Sequence, residues 1–315
     1  MRTHFTALAL AALPLISAQA KTDLTIAANE AAGEIAVRFK SQTLLVYVFK
    51  TNQFKPYVRE LYTLRGENVL RDSPPDHVHH HGLMYAITVN GVNFWEEQKD
   101  PGVQKPIKLL SHSTSTAKGL PQASFTQFLH WVARTNREAA NSADAALLIE
   151  RRTLMLTVNE PAQEVAVEWV SDFEAGKASA RVTLQGTEYH GLGLRLPTSF
   201  DKVAEFQNSL GTAFTMPQAR SVLAAKWTGV NGEMNGQPVT VALFGDPANA
   251  GGYAKYFTMR EPFAYLSATQ GLDKAPLEHA AGAKFRLRYL LTVSNDFKTP
   301  SLLTQRYEAW LKNRN

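Results

Sequence analysis

The chain has 315 residues, of which 33 are Lys or Arg and 28 are Asp or Glu, and it contains no cysteine. Hydrophobic residues make up 44% of it and are spread throughout, which excludes a disordered chain and supports a substantial core. The lack of thiols excludes disulfides and cysteine chemistry, and the interspersed basic and acidic residues predict no nucleic-acid partner.

The first twenty residues have the layout of a secretory signal peptide. Arg2 gives a positive start, residues 5–16 are almost wholly apolar, and Ala18-Gln19-Ala20 offers the small residues that signal peptidase requires. We predict cleavage after Ala20 and a soluble periplasmic or secreted product. No membrane span is expected in it, since no later stretch approaches the roughly 20 apolar residues that spanning demands. A retained N-terminal anchor is the alternative, but Pro14 interrupts the apolar run.

Strand patterns dominate the rest of the chain. β-branched and aromatic residues concentrate in segments 44–49, 57–64, 147–158, 164–173 and 283–293. Many of these segments alternate apolar and polar side chains, which is typical of antiparallel sheets with one solvated face. Because no linker, repeat or low-complexity tract divides residues 21–315, we predict a single all-β domain, a large antiparallel β-sandwich.

Two local signals add detail to this fold. Asn90-Gly91 lies between two apolar runs, and both residues readily take positive φ, so this pair predicts a tight hairpin. Residues 299–314 predict a C-terminal helix, because Thr299 can cap it, Pro300 suits its first turn, and apolar residues recur at helical spacing. We expect this helix to pack on a sheet.

The segment 72–82, Asp-Ser-Pro-Pro-Asp-His-Val-His-His-His-Gly, holds four of the nine histidines of the chain. If the segment is extended, His77, His79 and His81 project to one side and His80 to the other. Neutral imidazole ligates transition metals and also moves protons near neutral pH. Three interpretations stay open: a solvated loop that caps backbone carbonyls, a divalent transition-metal site built on His77 and His79, and a substrate-binding or acid–base site.

Trp95 follows the predicted hairpin and directly precedes Glu96 and Glu97. A sugar stacks its C–H face on an aromatic ring while its hydroxyl groups need acceptors, so Trp95 is a candidate for substrate binding. The alternative is a core tryptophan followed by two surface acids.

The segment 188–197, Glu-Tyr-His-Gly-Leu-Gly-Leu-Arg-Leu-Pro, predicts a strand opened by glycines. Its two glycines would let a ligand or another backbone approach closely. Glu188, His190 and Arg195 can then line the cleft of the histidine loop, with Arg195 as a fixed cation. The alternative is a β-bulge with a buried ion pair between Arg195 and Asp172.

The remaining candidates carry weaker signals. His112 and Arg260 are kept as substrate-binding positions. His130 lies between apolar residues and is predicted to be a core or sheet-face histidine, whereas His279 lies in a predicted charged loop and is given no role.

Several segments resemble the bacterial family labelled methane oxygenase PmoA. The closest piece is His77-Val78-His79-His80-His81-Gly82, beside the usual His-Pro-His-His-Arg-Gly, followed by Val-Asn-Gly-Val-Asn-Phe-Trp at 89–95, beside Val-Asn-Gly-x-Asp-Phe-Trp. Val78, His81 and Asn93 depart from that pattern. Looser similarity covers 55–57, 61–63, 172–173, 191–197, 227–229 and 245–249.

This resemblance implies an exported protein from a carbohydrate-utilisation setting, with a β-sandwich comparable to galactose-mutarotase-like sugar enzymes. Methane oxidation is not expected, because the enzyme subunit of that name is an integral membrane protein and no span follows the signal peptide here.

The sequence therefore predicts an exported carbohydrate-active protein, a hydrolase, lyase or epimerase that acts on a sugar or oligosaccharide. The predicted catalytic residues are His77, His79, His80, Glu188 and His190. The predicted substrate-binding residues are Asp76, Trp95, His112, Arg195 and Arg260. A non-catalytic carbohydrate-binding module and a metal-dependent enzyme are the alternatives. No cofactor is predicted beyond that optional transition metal, and no oligomeric state is predicted.

Overall fold

The computed structural model describes residues 23–50, 53–97, 100–136, 139–211 and 220–313. The predicted signal peptide, 1–20, lies outside these described residues. Strands are numbered β1 to β21 in chain order, and the structure arranges them in three antiparallel sheets.

The largest sheet has nine strands in the order β1-β2-β3-β4-β5-β13-β19-β18-β15. Their bounds are β1 Leu24–Asn29, β2 Glu34–Phe39, β3 Gln42–Val48, β4 Tyr57–Leu61, β5 Leu83–Ala86, β13 Gly191–Arg195, β15 Arg220–Ala224, β18 Lys255–Met259 and β19 Tyr265–Thr269.

The second sheet has eight strands in the order β14-β16-β17-β21-β11-β10-β9-β8. Their bounds are β8 Gly102–Ala117, β9 Leu120–Ala133, β10 Leu148–Asn159, β11 Glu164–Ala175, β14 Glu205–Asn208, β16 Trp227–Met234, β17 Gln237–Gly245 and β21 Lys284–Ser294.

A small sheet, in the order β20-β12-β6-β7, joins distant parts of the chain. It consists of β6 Thr88–Val89, β7 Val92–Asn93, β12 Arg181–Gln185 and β20 Leu277–Ala280. Between β6 and β7, Asn90 and Gly91 have φ of 49° and 78°, so the predicted hairpin and its type I′ turn are confirmed.

The five predicted strand segments are confirmed within β3, β4, β10, β11 and β21. Only the end of the second was misplaced, because β4 stops at Leu61 instead of continuing to residue 64. The chain reverses there: the Gly66 N–H donates to the Thr63 carbonyl at 3.1 Å, and Gly66 has a φ of 98° that favours glycine.

The two large sheets pack face to face as a sandwich around one main apolar core, and the predicted all-β class is confirmed. Alternating buried residues of both sheets meet there. The Tyr47 ring lies 4.9 Å from the Phe125 ring across the interface. Tyr85 likewise lies 5.9 Å from both Trp131 and Phe173.

A single α-helix, α1 Pro300–Leu311, ends the described fold. As predicted, Thr299 caps it, since its side-chain oxygen accepts from the Leu302 N–H at 3.4 Å. The helix packs on the outer face of the eight-stranded sheet through Leu303, Tyr307 and Trp310. This contact explains why Ala166, on the face of β11 expected to be solvated, is buried.

A polar network lies fully buried between the two sheets. The Glu150 carboxylate accepts from Arg152 Nε and Nη2 at 2.8 Å each, from Trp131 Nε1 at 2.8 Å and from Ser171 Oγ at 2.6 Å. Arg152 also donates to Gln104 at 2.8 Å and to the Pro56 carbonyl at 2.9 Å. Because each charge is paired and hydrogen-bonded, the network offsets much of the desolvation penalty that an isolated buried ion would incur.

Glu150→Gln should destabilise the fold by about 3–5 kcal/mol, because it leaves the buried Arg152 guanidinium without a counter-ion. Denaturant unfolding monitored by tryptophan fluorescence measures this change. Glu160→Gln is the matched control: Glu160 pairs with Lys40 at 2.6 Å but is half exposed, so its loss should cost less than about 1 kcal/mol. Similar losses for both variants would contradict a structural role for the buried pair.

Candidate functional site

The histidine loop, residues 72–82, is the second half of the connection between β4 and β5, two neighbouring strands of the nine-stranded sheet. Two tight turns fold it: the His77 N–H donates to the Pro74 carbonyl and the His80 N–H to the His77 carbonyl, both at 2.9 Å. The loop is therefore compact, and the predicted extended alternation is wrong. His80 lies on the same side as His77 and His79, while His81 points elsewhere.

Three imidazoles form a cluster on the outer surface of this loop. The His77 ring stacks on the His80 ring at 4.6 Å, and His79 meets His80 edge-on at 4.7 Å. His77 also lies 4.8 Å from the Phe263 ring, so the cluster borders an aromatic wall.

An ion pair between Asp76 of the loop and Arg195 of β13 holds the loop to the nine-stranded sheet. The side chain of Arg195, only 1% exposed, donates from Nη2 to Asp76 Oδ2 at 2.9 Å. Its guanidinium carbon lies 3.4 Å from the centroid of the Phe263 ring. Burial alone would raise the pKa of Asp76, but the hydrogen bonds from Arg195 and His77 and the Arg195 charge lower it to about 2.

The proposed alternative partner of Arg195 was therefore wrong. Asp172 lies on β11 of the other sheet and pairs with Arg286 at 2.5 Å. The buried Arg195 restrains the histidine loop through Asp76. Asp76 and Arg195 were predicted to contact the substrate directly. Neither residue is among those that line the pocket described below.

A second anchor holds the C-terminal end of the loop through His81. Its Nδ1 lies 2.9 Å from Asp72 Oδ1 and its Nε2 lies 2.9 Å from Glu97 Oε1, while its ring stacks on Tyr57 at 4.1 Å. Glu97 also accepts from the buried Lys55 ammonium at 2.6 Å. Burial would lower the pKa of His81, but the hydrogen bonds to Asp72 and Glu97 outweigh it and raise that pKa.

The histidine cluster opens on a pocket of about 320 Å³. Its other walls come from the segment before β13, from β15, and from β18, β19 and the turn between them. The described lining consists of His77, His79, His80, Glu96, Tyr189, Arg220, Phe257, Met259, Pro262, Phe263 and Tyr265. Such a mixture of aromatic walls and a few convergent polar groups is typical of small-molecule sites.

Two imidazoles of this loop, those of His79 and His80, are held neutral. Burial is the main cause, and the positive charges of neighbouring groups add to it, among them Lys55 for His79 and Arg195 for His80. Together these effects lower the pKa of His79 to about 4 and that of His80 to about 2. Near neutral pH both rings can accept a proton or a hydrogen bond.

Trp95 and His190 lie behind the pocket wall and not on it. Trp95 is fully buried and its indole stacks on the His190 ring at 5.0 Å, so the predicted open sugar-stacking face is already covered. The physical reason is the hairpin turn, which directs Trp95 into the core. Burial, followed by the charges of His79 and Lys55, lowers the pKa of His190 to about 3.

The space beside Gly191 and Gly193 is filled by other parts of the protein. A Cβ on Gly193 would collide with the Tyr265 hydroxyl and press against the Trp95 ring, and a Cβ on Gly191 would collide with the Ala268 carbonyl. These glycines therefore admit neighbouring strands and side chains, which is the second of the two predicted uses.

Three predicted residues lie away from the pocket wall. Glu188 pairs at 3.2 Å with Arg220 at the rim, and Arg260 lies between lining residues Met259 and Pro262 without lining the pocket. His112 is exposed on β8 in the other sheet, where the long hairpin with β9 carries it away from the loop. The structure does not bring His112 to this site.

The other two histidines in the described part of the chain, His130 and His279, lie away from the pocket. The core position predicted for His130 is confirmed, since it is buried and bonds the Ala140 carbonyl at 2.9 Å. His279 lies on β20, stacked on Phe285 at 4.2 Å, and not in a charged loop.

Sequence reasoning missed the supporting residues Lys55 and His81 and the aromatic wall of Phe263 and Tyr265. A signal existed for Lys55, because segment 55–57 belongs to the PmoA-like pattern. No signal pointed to the aromatic wall, which is far from the loop along the chain. Among the described residues, no three His, Asp or Glu side chains are arranged to hold a metal ion, so His77 and His79 lack a third ligand there.

The chain belongs to the DUF6807 family, which is described as a family of unknown function. The family model matches residues 34–308. No curated protein matches the sequence. The predicted resemblance to the PmoA-labelled family stays a prediction.

Several solved structures are similar to this chain at low sequence identity. The GH36 α-galactosidase AgaB from Geobacillus stearothermophilus matches with a TM-score of 0.51 and 12% identity, over 86% of this chain and 41% of that one. An α-galactosidase from Lactobacillus brevis matches with a TM-score of 0.45 and 10% identity, over 87% and 40%. A galactose mutarotase related enzyme from Lactobacillus acidophilus matches with a TM-score of 0.37 and 8% identity, over 81% and 97%.

The chain spans about two fifths of the length of the α-galactosidases it matches. At 12% identity the likeness to AgaB shows a common fold and nothing about residues. In the part of the chain that the structure describes, no helix has the length and apolar character needed to cross a membrane.

His81 should make the stability of the protein depend on pH. Because the folded state raises its pKa above the ordinary 6.5, its two carboxylate contacts stabilise the fold fully below about pH 6.5, and this contribution disappears as pH rises through the folded-state pKa. The difference in unfolding free energy between the native protein and His81→Gln should therefore shrink from pH 5.5 to pH 9 in urea titrations.

His112→Gln is the control for this measurement, because His112 is exposed on β8. Its unfolding free energy should match that of the native protein across the same range. A His81→Gln difference that stays constant with pH would show that the imidazolium form is not what anchors the loop.

Proposed function

We propose that this protein is an exported carbohydrate-active enzyme that binds a sugar unit in the pocket of the histidine loop. The observation that carries the proposal is His79: a half-buried imidazole, held neutral, that lines the same pocket as the Glu96 carboxylate and an aromatic wall. Near pH 7 its unprotonated ring nitrogen is free to accept a hydrogen bond or a proton from a bound substrate, although its lowered pKa makes it a weaker base than an ordinary imidazole.

The lining favours a lyase or an epimerase over a hydrolase. Most glycoside hydrolases use a pair of carboxylates that flank the bond they cleave. Glu96 is the single carboxylate among the described lining residues, and the other titratable groups there are three imidazoles, two tyrosine hydroxyls and Arg220. An imidazole and a carboxylate in one pocket suit the removal of a proton from a sugar hydroxyl and its return, a step that does not need an acidified C–H bond.

The aromatic wall supports a sugar as the substrate class. Phe257, Phe263 and Tyr265 line the pocket, and Phe263 lies 4.8 Å from the His77 ring. Aromatic rings bury the C–H faces of sugars, while the imidazoles and Glu96 are available to the hydroxyl groups. The common fold with an α-galactosidase supports the same class by analogy alone.

In this reaction His79 would accept the proton, and His77 and His80 would fix its orientation through their ring contacts at 5.8 Å and 4.7 Å. Arg195 and Asp76 hold the loop from below. The pocket wall would exclude water from the reacting carbon.

His79→Gln should lower kcat/KM by about 10²- to 10⁴-fold, which is the usual contribution of a general acid–base group. Its melting temperature should stay close to that of the native protein, because His79 makes no hydrogen bond that supports the loop. Product formation from a panel of monosaccharides, uronates and oligosaccharides, followed by NMR and mass spectrometry, measures the activity.

His112→Gln serves as the matched control and should leave turnover unchanged. Equal turnover in His79→Gln and the native protein would refute the catalytic role. Sugar-dependent thermal shifts without any product would indicate a non-catalytic binding module. Near-stoichiometric transition metal in elemental analysis of the purified protein, with activity lost on chelation, would indicate the metal-dependent alternative.

A further inference from the structure

A group of buried polar atoms next to the pocket has no hydrogen-bond partner among the described residues. Trp95 Nε1, both ring nitrogens of His190 and the Tyr265 hydroxyl have no hydrogen-bond partner among the described residues. All three side chains are at least 97% buried. An unpaired buried donor or acceptor costs about 1–3 kcal/mol, so such a group is rarely gathered in one place without a function.

These residues form one contiguous cluster directly behind the pocket. The Trp95 ring lies 5.0 Å from His190, 6.3 Å from Tyr265 and 5.5 Å from Tyr189. It also lies 6.2 Å from His80. Tyr265 itself lines the pocket, as do Tyr189 and His80, so Trp95 and His190 lie one side chain deeper than its wall.

The rest of the core shows that this fold normally pairs its buried polar atoms. The Glu150 carboxylate, equally buried, accepts four hydrogen bonds. Tyr256 offers a direct comparison on the neighbouring strand β18: it is buried like Tyr265, but its hydroxyl donates to the Lys226 carbonyl at 3.1 Å. Single unpaired atoms also occur elsewhere among the described residues, as at Gln127, Asn208 and Thr258, but here four of them, from three neighbouring side chains, lie together next to the pocket.

Tyr189 separates this cluster from the pocket and is weakly held. It is half-buried, and its side chain is restrained by ring contacts with Trp95, His190 and Phe257, while its hydroxyl bonds no described residue. A change of its rotamer would join the pocket to the cluster. Because residue 193 is a glycine and has no side chain, the Tyr265 hydroxyl and the Trp95 ring both fit beside it.

The chemistry of the cluster selects for hydroxyl groups. The indole offers one hydrogen-bond donor, and the phenol and the neutral imidazole each offer one donor and one acceptor. This set of donors and acceptors complements hydroxyl groups, which both donate and accept. The cations around the pocket are already paired: Lys55 with Glu97 at 2.6 Å, Arg195 with Asp76 at 2.9 Å and Arg220 with Glu188 at 3.2 Å. A carboxylate or phosphate would find no uncompensated charge among these three.

We propose, on the basis of the proposed function, that the pocket takes a neutral sugar whose hydroxyl groups pass Tyr189 and hydrogen-bond Trp95 Nε1, His190 and the Tyr265 hydroxyl. This inner end of the pocket determines specificity for uncharged sugars over uronates. It also explains why the fold keeps these polar atoms buried without partners of its own.

The test compares Tyr265→Phe with Tyr256→Phe, since each removes one buried hydroxyl. The probes are the methyl glycosides of glucose, galactose and mannose and of the corresponding uronates, with binding measured by calorimetry. The native protein should bind at least one neutral glycoside more tightly than its uronate. Tyr265→Phe should weaken that binding by about tenfold, the effect of one lost hydrogen bond, and should leave the sugar-free melting temperature unchanged or raised.

Tyr256→Phe should show the opposite pattern. Its hydroxyl is paired within the protein, so its loss should lower the sugar-free melting temperature by about 2–4 °C and leave sugar affinity unchanged. Equal sugar affinity in Tyr265→Phe and the native protein, or tighter binding of uronates, would overturn the inner subsite alone. Failure of the native protein to bind any of the six glycosides would overturn the subsite together with the proposed sugar function.

Discussion

The sandwich depends on the buried ion pair between Glu150 and Arg152, because this pair connects the core to the functional end of the molecule. Glu150 gathers donors from three strands of the eight-stranded sheet, and Arg152 crosses the interface to the Pro56 carbonyl. Pro56 is flanked by Lys55, which binds Glu97, and by Tyr57, which donates to Asp72 at the start of the histidine loop. The packing of the sheets and the position of the loop are therefore set by one continuous polar network.

The loop itself is held by opposite charges, whereas two of its other histidines, His79 and His80, stay uncharged. Arg195 binds Asp76 at one end, and His81 bridges two carboxylates at the other. These contacts order the backbone and place His77, His79 and His80 around one pocket, where burial and nearby cations keep the pKa of His79 and His80 low. Four adjacent histidine positions thus have two different roles, which their environment assigns.

Much of the architecture was visible in the sequence, whereas the site was visible only in part. Strand periodicity, the Asn90-Gly91 turn and the capped helix are local patterns, and each appears where it was predicted. The histidine loop was recognised from composition. Its internal geometry was not, because whether a short polar segment is extended or turned depends on the partners that anchor it, here Arg195 and Glu97.

The sequence by itself determined the elements and the fold class, because hydrophobic alternation, turn residues and caps act over a few neighbouring positions. Tertiary structure alone decided which side chains meet. It buried Trp95 against His190, paired Arg195 with Asp76 instead of Asp172, and brought Phe263 and Tyr265 to a loop nearly two hundred positions earlier. Such contacts follow from the register and order of strands in a sheet, which depend on the packing of the whole chain and not on any one segment.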